Sequence, residues 1–296
     1  MSCDELLNIS NVEYLKNTDL SRFTTIRLKV FGDLAVVSSI ESLKKVIAFT
    51  LDKGIRYHLL GWGANQVLSS TKNTLFIKLK FDLDRSIFKS VKSSYHLPAS
   101  TPLNVLQAHA QKFGLKGWEV ITGIPASLGG AIYMNAGTAL GEICEIVESV
   151  VILKPDGELR TEKITQKSFS YRKNHFVNEG EVIVAASLVH KGVDPEISKV
   201  IKEYMAYRKR TQPLSSFNCG CVWKNFDDSH KAGLFIDKLK LNQLKFDGIE
   251  VSDKHCNFLE NKGNAKFDDF KALIELLKEE LLLHSGIKFE LEAKIY

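Results

Sequence analysis

Cysteine is scarce in this sequence, and its start lacks the composition of a secretory leader. The 296 residues include only five cysteines, an odd number, scattered between Cys3 and Cys256. A disulfide framework needs dense and paired cysteines, so that class of fold is excluded and a reducing compartment is favoured. The first residues carry Asp4 and Glu5 and no basic region followed by an apolar run. We therefore expect no signal peptide.

Long hydrophobic runs and an excess of one charge are also missing. The longest uncharged stretch, residues 120–141, is long enough to raise the question of a membrane span, but it contains Pro125, Asn135 and several glycines. A loop that faces a ligand explains this composition better. The chain has 40 basic and 35 acidic residues, a net charge of +5, which suits an anionic small ligand or a nucleic acid and identifies neither.

What is present is the composition of ordinary globular domains, with helical and strand patterns that interleave. Hydrophobic residues make up 44% and charged residues 25%, and the length suits two or three domains. Helices are predicted after the capping residue Ser39, after Thr101 with Pro102 at the first helical position, from Asp194-Pro195-Glu196 to Arg210, at residues 232–239 and at residues 267–284. Strands are predicted at residues 34–37, 55–60, 74–79 and 182–189, as a hairpin over residues 147–164, and at residues 287–296, where apolar and polar residues alternate. A regular βαβ rhythm is missing, so the fold class is α+β.

The first glycine-rich segment, Gly61-Trp62-Gly63-Ala64-Asn65, follows a predicted strand. Consecutive backbone N–H groups in such a loop can hold a phosphate. Gln66 stands where a dinucleotide-binding fingerprint needs its third glycine, which disfavours a Rossmann fold. An ordinary tight turn is the simpler interpretation of this motif taken alone.

A second and longer glycine-rich segment covers residues 123–137 and includes Gly123, Gly129, Gly130 and Gly137. Glycine costs about 0.5–1 kcal/mol relative to alanine inside regular elements, so such a run has little use in a plain core. It suits a backbone that packs closely against a flat, polar cofactor. A buried crossover loop is the alternative.

Cys219-Gly220-Cys221 and His255-Cys256 are the candidates for metal or acid-base chemistry. Their spacing fits none of the common structural zinc patterns, so we expect no metal site. A catalytic acid among these cysteines is the sharper hypothesis. Two small, buried thiols are the simpler one.

Three charged features have simple surface interpretations when each is taken singly. Arg172, which follows Tyr171, could be an ordinary exposed arginine, and Glu292 lies on the polar face of the last predicted strand. The cluster from Arg208 to Arg210 is too short for a nucleic-acid-binding stripe and lacks interleaved aromatic residues. Basic residues are also favourable at a helix C-terminus. We expect no nucleic-acid partner.

Taken together, short motifs in a fixed order favour a functional interpretation over these simple ones. They extend over residues 18–296. They are Phe23-Thr24-Thr25-Ile26, Gly61 to Asn65, Gly123 to Gly137, Tyr171-Arg172, Gln212-Pro213, Gly220 to Asn225, Val251 to His255 and Glu290-Leu291-Glu292. In this order they resemble the UDP-N-acetylenolpyruvoylglucosamine reductases, the MurB family of peptidoglycan synthesis. The chain has no long insertion between Tyr171 and its last third, so it looks like the shorter branch without the lid insertion.

The resemblance implies an α+β chain, with a two-subdomain FAD-binding fold of the vanillyl-alcohol-oxidase (PCMH) type and an α/β substrate-binding domain. The first FAD-binding subdomain is expected at residues 1–80, the second at residues 81–200 and the substrate domain at residues 201–285. Residues 286–296 are expected to return to the active site as a strand. A cytoplasmic, monomeric enzyme without membrane, nucleic-acid or metal partners is implied as well.

The resemblance also implies a reaction, the reduction of UDP-N-acetylglucosamine enolpyruvate to UDP-N-acetylmuramate. NADPH reduces FAD, and hydride from flavin N5 then adds to the enolpyruvyl double bond. The enolate charge that develops needs hydrogen-bond donors fixed in advance. Arg172 matches the active-site arginine of the family. Glu292 matches its acidic residue, which has to be protonated in order to donate.

Cys221 is the most interesting departure from the family, because the family usually has serine at this position. A thiol has an ordinary pKa of about 8.5, so it is mostly protonated at neutral pH and is a stronger acid than a serine hydroxyl. We therefore expect Cys221 to act as the general acid that completes the reduction.

The resemblance assigns two groups of residues to FAD and one to the substrate. The cofactor residues are Gly61, Gly63, Ala64 and Asn65 in the first loop, Gly123, Ile124, Pro125, Gly129, Asn135, Ala136 and Gly137 in the second, and Arg208 and Lys294. The substrate residues are Tyr171, Lys224 and Asn225. Further departures are Trp62 for glycine, Ala64 for serine, Phe226 for proline and Lys294 for arginine.

Two other functions stay open at this stage. A related FAD oxidoreductase with another substrate would keep the fold, but the joint presence of Arg172, Cys221, Lys224, Asn225 and Glu292 argues against it. A non-catalytic flavin- or nucleotide-binding protein is supported only by the altered Gly61 loop and the change from serine to cysteine.

Overall fold

The computed structural model describes residues 3–69 and 73–296 of the chain. Its strands are β1 (Val12–Asp19), β2 (Phe31–Val37), β3 (Arg56–Leu59), β4 (Gln66–Val67), β5 (Thr74–Leu79), β6 (Ser94–Pro98), β7 (Gly137–Thr138), β8 (Gly141–Glu142), β9 (Val147–Leu153), β10 (Leu159–Lys163), β11 (Phe169–Ser170), β12 (Lys173–Asn174), β13 (Val182–Val189), β14 (Lys245–Phe246), β15 (Ile249–Val251), β16 (Leu259–Asn261) and β17 (Lys294–Ile295). Its α-helices are α1 (Ile40–Asp52), α2 (Leu103–Phe113), α3 (Leu128–Tyr133), α4 (Ile197–Thr211), α5 (Ala232–Lys238) and α6 (Phe267–Ser285). Short 3₁₀ helices lie at Asp4–Asn8, Ser21–Phe23, Arg85–Lys89, Trp118–Ile121, Ile143–Ile146, Gln166–Ser168 and Leu241–Gln243.

The described residues form two compact units, and each unit is assembled from segments that are distant in sequence. Unit 1 contains residues 3–16, 33–61 and 73–206. Unit 2 contains residues 17–32, 62–69 and 207–296. The mixture of helices with parallel and antiparallel strands confirms the α+β class.

The first sheet of unit 1 has the order β1-β2-β5-β3, in which β2, β5 and β3 run parallel. Helix α1 joins β2 to β3, as a parallel connection requires. Ser39 begins this helix because its hydroxyl accepts the Ser42 N–H at 3.1 Å. Leu43, Val46 and Ile47 are buried on one face, as the spacing predicts.

The second sheet of unit 1 is antiparallel, with the order β10-β9-β13-β6. One face carries Tyr95 and Leu97 into a core that it shares with helices α2 and α3. The other face carries Leu153 and Val184 into the core of the first sheet. The pairing of β9 with β10 confirms the predicted hairpin, and β13 confirms the predicted strand at residues 182–189. Strand β13 contributes buried residues to both cores.

Both helices that proline marks in the sequence begin later than predicted. Pro102 has φ −70° and ψ 133°, which is extended backbone, so it caps helix α2 and is not its first helical residue. The proline ring fixes φ at a value that extended and helical backbone share, so the residue type alone does not decide between them. Helix α4 likewise starts at Ile197, just after Asp194-Pro195-Glu196. The predicted end of α2 is confirmed, since Gly114 takes a left-handed φ of +68°.

The uncharged stretch at residues 120–141 is not one continuous loop, because helix α3 occupies part of it. Ser127 caps this helix. The Gly129 N–H donates to the Ala99 carbonyl at 2.8 Å, and a Cβ atom on residue 129 would lie 2.8 Å from the Ala99 Cβ. Glycine is needed at 129 for this close packing within the protein. This packing is a structural reason for glycine at 129, and the expected role of these glycines toward a ligand stays a prediction.

Unit 2 has a core of its own around the long helix α6. This helix buries five apolar residues, Phe270, Leu273, Ile274, Leu277 and Leu281. It ends at Gly286, which has φ +69°, as predicted. The antiparallel sheet β14-β15-β16 and helix α5 contribute to the same core. So do Ile26, Leu28 and Val67, which come from segments far away in sequence.

The single strand predicted for residues 287–296 is wrong. Only β17 is a regular strand there, and it pairs in parallel with β4. Leu291 makes an isolated antiparallel bridge to Trp223. The segment changes partners between the two, because the Glu292 N–H donates to the Val222 carbonyl and the Lys294 N–H donates to the Asn65 carbonyl. Each stretch of pairing is too short to build the ladder that the alternation predicts. Within residues 3–69 and 73–296, no helix is long and apolar enough to cross a membrane.

Candidate functional site

The residues expected at the site are divided between the two units. Unit 1 holds Gly61, the second glycine-rich segment, Tyr171 and Arg172. Unit 2 holds residues 62–65, Arg208, Cys221, Lys224, Asn225, Glu292 and Lys294. Each group has its own geometry.

The loop at residues 62–65 presents backbone donors that the protein does not use. Across the described parts of the chain, the N–H groups of Trp62, Gly63, Ala64 and Asn65 donate to no protein acceptor. Gly63 is buried and has φ +65°, and its carbonyl accepts the Thr25 N–H at 3.2 Å. A Cβ atom on residue 63 would lie 2.6 Å from the Thr24 Cα. Four successive backbone N–H groups without a protein acceptor are a donor set suited to the oxygens of a phosphate.

Asn65 links this loop to the C-terminal segment. Its side-chain Nδ2 donates to the Glu292 carbonyl at 3.0 Å, and its own carbonyl accepts the Lys294 N–H at 2.9 Å. The Glu292 N–H in turn donates to the Val222 carbonyl at 2.8 Å, directly after Cys221. The structure therefore brings Asn65, Cys221 and Glu292 together through one backbone network.

The two neighbouring cysteines differ in exposure. Cys219 is fully buried, and this burial raises the pKa of its thiol to about 12, with the Glu292 carboxylate acting in the same direction. Cys221 is only partly buried, and it follows Gly220, which has φ +78°. Asn257 fixes the next two residues, since its carbonyl accepts the Val222 N–H and its side-chain Oδ1 accepts the Trp223 N–H. Cys221 is therefore the accessible thiol of the pair.

The remaining residues predicted in unit 2 are held by close neighbours. The Lys224 Nζ lies 3.0 Å from Glu290 Oε2. Arg208 is 9% exposed and donates from Nε to Gln212 at 2.9 Å, so the basic cluster of helix α4 includes one buried guanidinium. Burial lowers the pKa of His255, and the charge of Arg208 adds to this effect. The burial of Arg208 rules out the simple surface interpretation of the basic cluster, and its expected role toward FAD stays a prediction.

In unit 1, the Gly61 carbonyl accepts a hydrogen bond from a partly buried lysine. The Lys78 Nζ donates to the Gly61 carbonyl at 2.8 Å, and burial lowers the pKa of Lys78. In the second glycine-rich segment, the Gly123 N–H donates to Gln107 Oε1 at 2.7 Å. The Ala136 N–H donates to the Ala131 carbonyl. Ile124 and Pro125 lie between the two and precede helix α3.

Arg172 is a fixed residue and not an ordinary surface arginine. Its side chain is 16% exposed, and its backbone takes φ +56°, which is rare for residues other than glycine. Nη1 lies 3.3 Å from Glu142 Oε1, and Nη2 donates to the Gly137 carbonyl at 3.1 Å. The guanidinium carbon also lies 4.8 Å from the centre of the Tyr171 ring.

Asn135 belongs to the same network and is completely buried. Its Nδ2 donates to Glu142 Oε2 at 2.7 Å and to the Ser170 carbonyl at 3.1 Å. Three predicted residues, Asn135, Gly137 and Arg172, are thus brought together around Glu142.

The residues present fit FAD. The unused N–H groups of residues 62–65 suit a diphosphate, which is the charged part of this cofactor. Among the residues that the structure describes, no three His, Cys, Asp or Glu side chains are grouped to hold a metal. The five cysteines, all of which are described, are free thiols.

Sequence comparison and structure comparison with known proteins point to the same family. Residues 212–296 match the model of the UDP-N-acetylenolpyruvoylglucosamine reductase C-terminal domain, and residues 34–162 match the model of an FAD binding domain. A UDP-N-acetylenolpyruvoylglucosamine reductase from Moorella thermoacetica is 34% identical, over 99% of this chain and 96% of that protein. A second, from Halalkalibacterium halodurans, is 31% identical over 94% and 93% of the two chains. This chain belongs to the UDP-N-acetylenolpyruvoylglucosamine reductase family.

The solved structure of a family member supports this assignment. The UDP-N-acetylenolpyruvylglucosamine reductase (MurB) of Thermus caldophilus superposes with a TM-score of 0.80 at 30% identity, and the match covers 96% of this chain and 98% of that one. The family, the FAD-binding α+β fold, the enzyme class and the cofactors FAD and NADPH are thereby confirmed. A UDP-sugar and NADPH are the small-molecule partners that the family implies.

Sequence reasoning missed several residues that build the site. Glu142, Lys78 and Asn257 carry no motif, and each acts through a partner that is distant in sequence. Asn257 alone had a nearby signal, because it follows the Val251 to His255 motif by two residues.

Proposed function

We propose that this chain catalyses the NADPH-dependent, FAD-mediated reduction of UDP-N-acetylglucosamine enolpyruvate to UDP-N-acetylmuramate, with Arg172, Cys221 and Glu292 as catalytic residues. The observation that supports this most is the network in unit 2. There the phosphate-type loop, the accessible thiol and the acidic residue are joined by Asn65 and Val222. A protein that only stored flavin would not need the thiol and the acidic residue beside the phosphate-type loop.

The proposed roles follow from the chemistry of each side chain. Bound FAD supplies the hydride-transfer chemistry. Arg172 offers a fixed guanidinium to the enolate and carboxylate oxygens, where the negative charge develops. Glu292, when protonated, donates a further hydrogen bond to the enolate.

Cys221 completes the reduction. Its Sγ–H gives a proton to the enol carbon, the new C–H bond forms as the S–H bond breaks, and the thiolate that remains takes a proton from solvent. A weakly acidic, partly exposed thiol can do this in each turnover.

The binding residues are proposed in the same way. Gly61, Gly63, Ala64 and Asn65 hold the diphosphate of FAD. The second group of cofactor residues is Gly123, Ile124, Pro125, Gly129, Asn135, Ala136 and Gly137, with Arg208 and Lys294 in addition. Tyr171, Lys224 and Asn225 bind the substrate. We propose a cytoplasmic monomer, with the domain boundaries predicted from the sequence. Light scattering of the purified protein tests the oligomeric state.

The visible spectrum of the purified protein tests the activity. We expect a flavin spectrum that is bleached by NADPH under anaerobic conditions and restored by the enolpyruvyl substrate. A protein without flavin that takes up no added FAD would make this chain a binding module of another kind. Bleaching without reoxidation by the enolpyruvyl sugar would mean a flavin oxidoreductase with a different substrate.

A further inference from the structure

Glu142 has no role in the reaction proposed above, yet both of its carboxylate oxygens bind residues of the site. Oε1 lies 3.3 Å from Arg172 Nη1, and Oε2 accepts the Asn135 Nδ2–H at 2.7 Å. The carboxylate itself is held in place, because its residue forms a reciprocal cap with Glu145, whose Oε1 accepts the Glu142 N–H at 3.0 Å. Lys191 lies 2.9 Å from the other oxygen of Glu145.

Contacts with neighbouring residues hold the guanidinium of Arg172. Nη1 lies 3.3 Å from Glu142 Oε1, Nη2 donates to the Gly137 carbonyl, and the guanidinium carbon lies 4.8 Å from the centre of the Tyr171 ring. A free arginine side chain carries rotamer entropy, which has to be lost before the guanidinium can meet a carboxylate in a fixed geometry. Contacts that fix the guanidinium beforehand remove this cost from the reaction step.

Asn135 makes the arrangement specific for a carboxylate at residue 142. The Asn135 Oδ1 accepts the Cys144 N–H at 3.3 Å, so the amide orientation is set and Nδ2 has to face Glu142. A glutamine at 142 offers one acceptor oxygen and one NH₂ group. That NH₂ group would meet either the Arg172 guanidinium or the Asn135 NH₂, and both are donors.

We propose that Glu142 is the positioning residue of Arg172, and that it ties the orientation of the guanidinium to the loop at Asn135–Gly137, where the cofactor is expected. This inference rests on the proposed role of Arg172. In this role Glu142 acts through Arg172 and not directly on the substrate or the cofactor. Its carboxylate aims the guanidinium for the step in which the enolpyruvyl group is reduced.

A positioning role and a purely electrostatic role of Glu142 predict opposite effects of the same substitution, so the proposal can be tested. Glu142→Gln removes a negative charge beside Arg172, so a purely electrostatic role would strengthen the binding of the anionic substrate. Positioning predicts that kcat for reoxidation of the reduced flavin by the enolpyruvyl sugar falls about tenfold to a hundredfold, which is the coupling expected of contacting residues. Reduction of the flavin by NADPH, the flavin spectrum and the FAD affinity are expected to stay within about twofold.

The matched control is Glu148→Gln, the same substitution six residues along the chain, where the carboxylate is exposed and lies 3.3 Å from the Ser94 hydroxyl. It is expected to leave both half-reactions unchanged. The deciding experiment is a double-mutant cycle by stopped-flow absorbance. In an Arg172→Ala background, Glu142→Gln is expected to have no further effect on the reoxidation rate.

Each other outcome has a definite meaning. The proposal is wrong if Glu142→Gln slows reoxidation equally in both backgrounds or leaves it unchanged. It is also wrong if both Glu142→Gln and Glu142→Asp lose FAD or unfold, because the carboxylate then serves the loop and not the guanidinium. If Arg172→Ala itself reoxidises like the wild type, the role proposed for Arg172 fails first.

Discussion

At the scale of the residue, Cys219 and Cys221 show that the surroundings of a side chain, which its residue type does not reveal, distinguish two chemically identical groups. The sequence contains two thiols separated by one glycine and offers no way to choose between them. The structure separates them, because burial raises the pKa of Cys219 to about 12 while Cys221 is partly exposed. The choice of Cys221 came from a resemblance, and the geometry supports it independently.

Cys221→Ser and Cys221→Ala should differ in the second half-reaction. We expect the serine variant to keep part of the reoxidation rate and the alanine variant to lose most of it, about 10²-fold or more, because only serine can still give a proton. Reduction of the flavin by NADPH should be unaffected in both. Stopped-flow absorbance measures the two steps separately.

Cys256→Ala is the control for this experiment. Cys256 is a partly buried thiol of the same unit, whose pKa is raised to about 11 by burial and by Asp237. It should reduce the enolpyruvyl sugar like the wild type. Wild-type turnover by Cys221→Ala would mean that another group gives the proton.

Gly63 and Gly54 form a natural pair for testing the first loop. Gly63 has φ +65° and no room for a Cβ atom, whereas Gly54 has φ +62° and nothing within 4 Å of that position. Gly54→Ala should therefore cost only the left-handed backbone, about 1–2 kcal/mol of unfolding free energy. Gly63→Ala should cost more and should also weaken FAD binding, since the loop has to move away from Thr24. Denaturant titration and quenching of flavin fluorescence measure these effects, and equal losses in the two variants would contradict this role of Gly63.

At the scale of the element, Arg160 of β10 ties the edge of the second sheet to the start of β13. Its Nε and Nη2 donate to the two oxygens of Glu181 at 2.9 and 2.7 Å, and Nη2 also donates to the Phe176 carbonyl. The bidentate hydrogen bonds from Arg160 lower the pKa of Glu181 to about 2.

This pair predicts a pH dependence of stability. An unfolded glutamate titrates near 4.3, so the native state holds its proton less tightly than the unfolded state does. The contribution is fully present above that value and is lost as the pH falls from there through about 2. Glu181→Gln should lower the unfolding free energy by about 1–3 kcal/mol at pH 7 and flatten its dependence on pH between 4.5 and 2. Urea titrations at several pH values check this. An unchanged slope in Glu181→Gln would assign the acid sensitivity to other carboxylates.

Elements with local signals are the part of the fold that the sequence predicts well. Helix α1 follows from a capping serine and a 3.6-residue period, and α6 follows from its apolar face and Gly286. The last predicted strand fails for the opposite reason. Its alternation is local, but its partners are Val222 and Asn65, and no pattern in residues 287–296 contains them. The roles of Glu142 and Lys78 could not be predicted for the same reason, because their partners are distant in sequence.

At the scale of the whole molecule, the chain crosses between its two units several times. The family model of the C-terminal domain matches a continuous segment, residues 212–296. The core of unit 2 also needs Ile26, Leu28 and Val67, which are at most 2% exposed, and β17 needs β4 as its partner. The core of residues 212–296 therefore depends on segments that precede it by more than 140 residues. A division of the sequence into consecutive domains does not show this dependence.

A fragment of residues 212–296 should therefore fail to fold by itself. Burying one aliphatic side chain contributes about 1.5–3 kcal/mol, so the three missing side chains together are comparable to the 5–15 kcal/mol that stabilises a typical domain. We expect a poorly dispersed NMR spectrum and no cooperative thermal transition for the fragment. Adding a peptide of residues 17–69, which supplies the three side chains and β4, should restore both. In the full chain, Leu28→Ala should cost about 2–5 kcal/mol, whereas Leu283→Ala, at an exposed position of α6, should cost little. A cooperatively folded fragment 212–296 would show that the family domain is autonomous and that the distant segments only cover it.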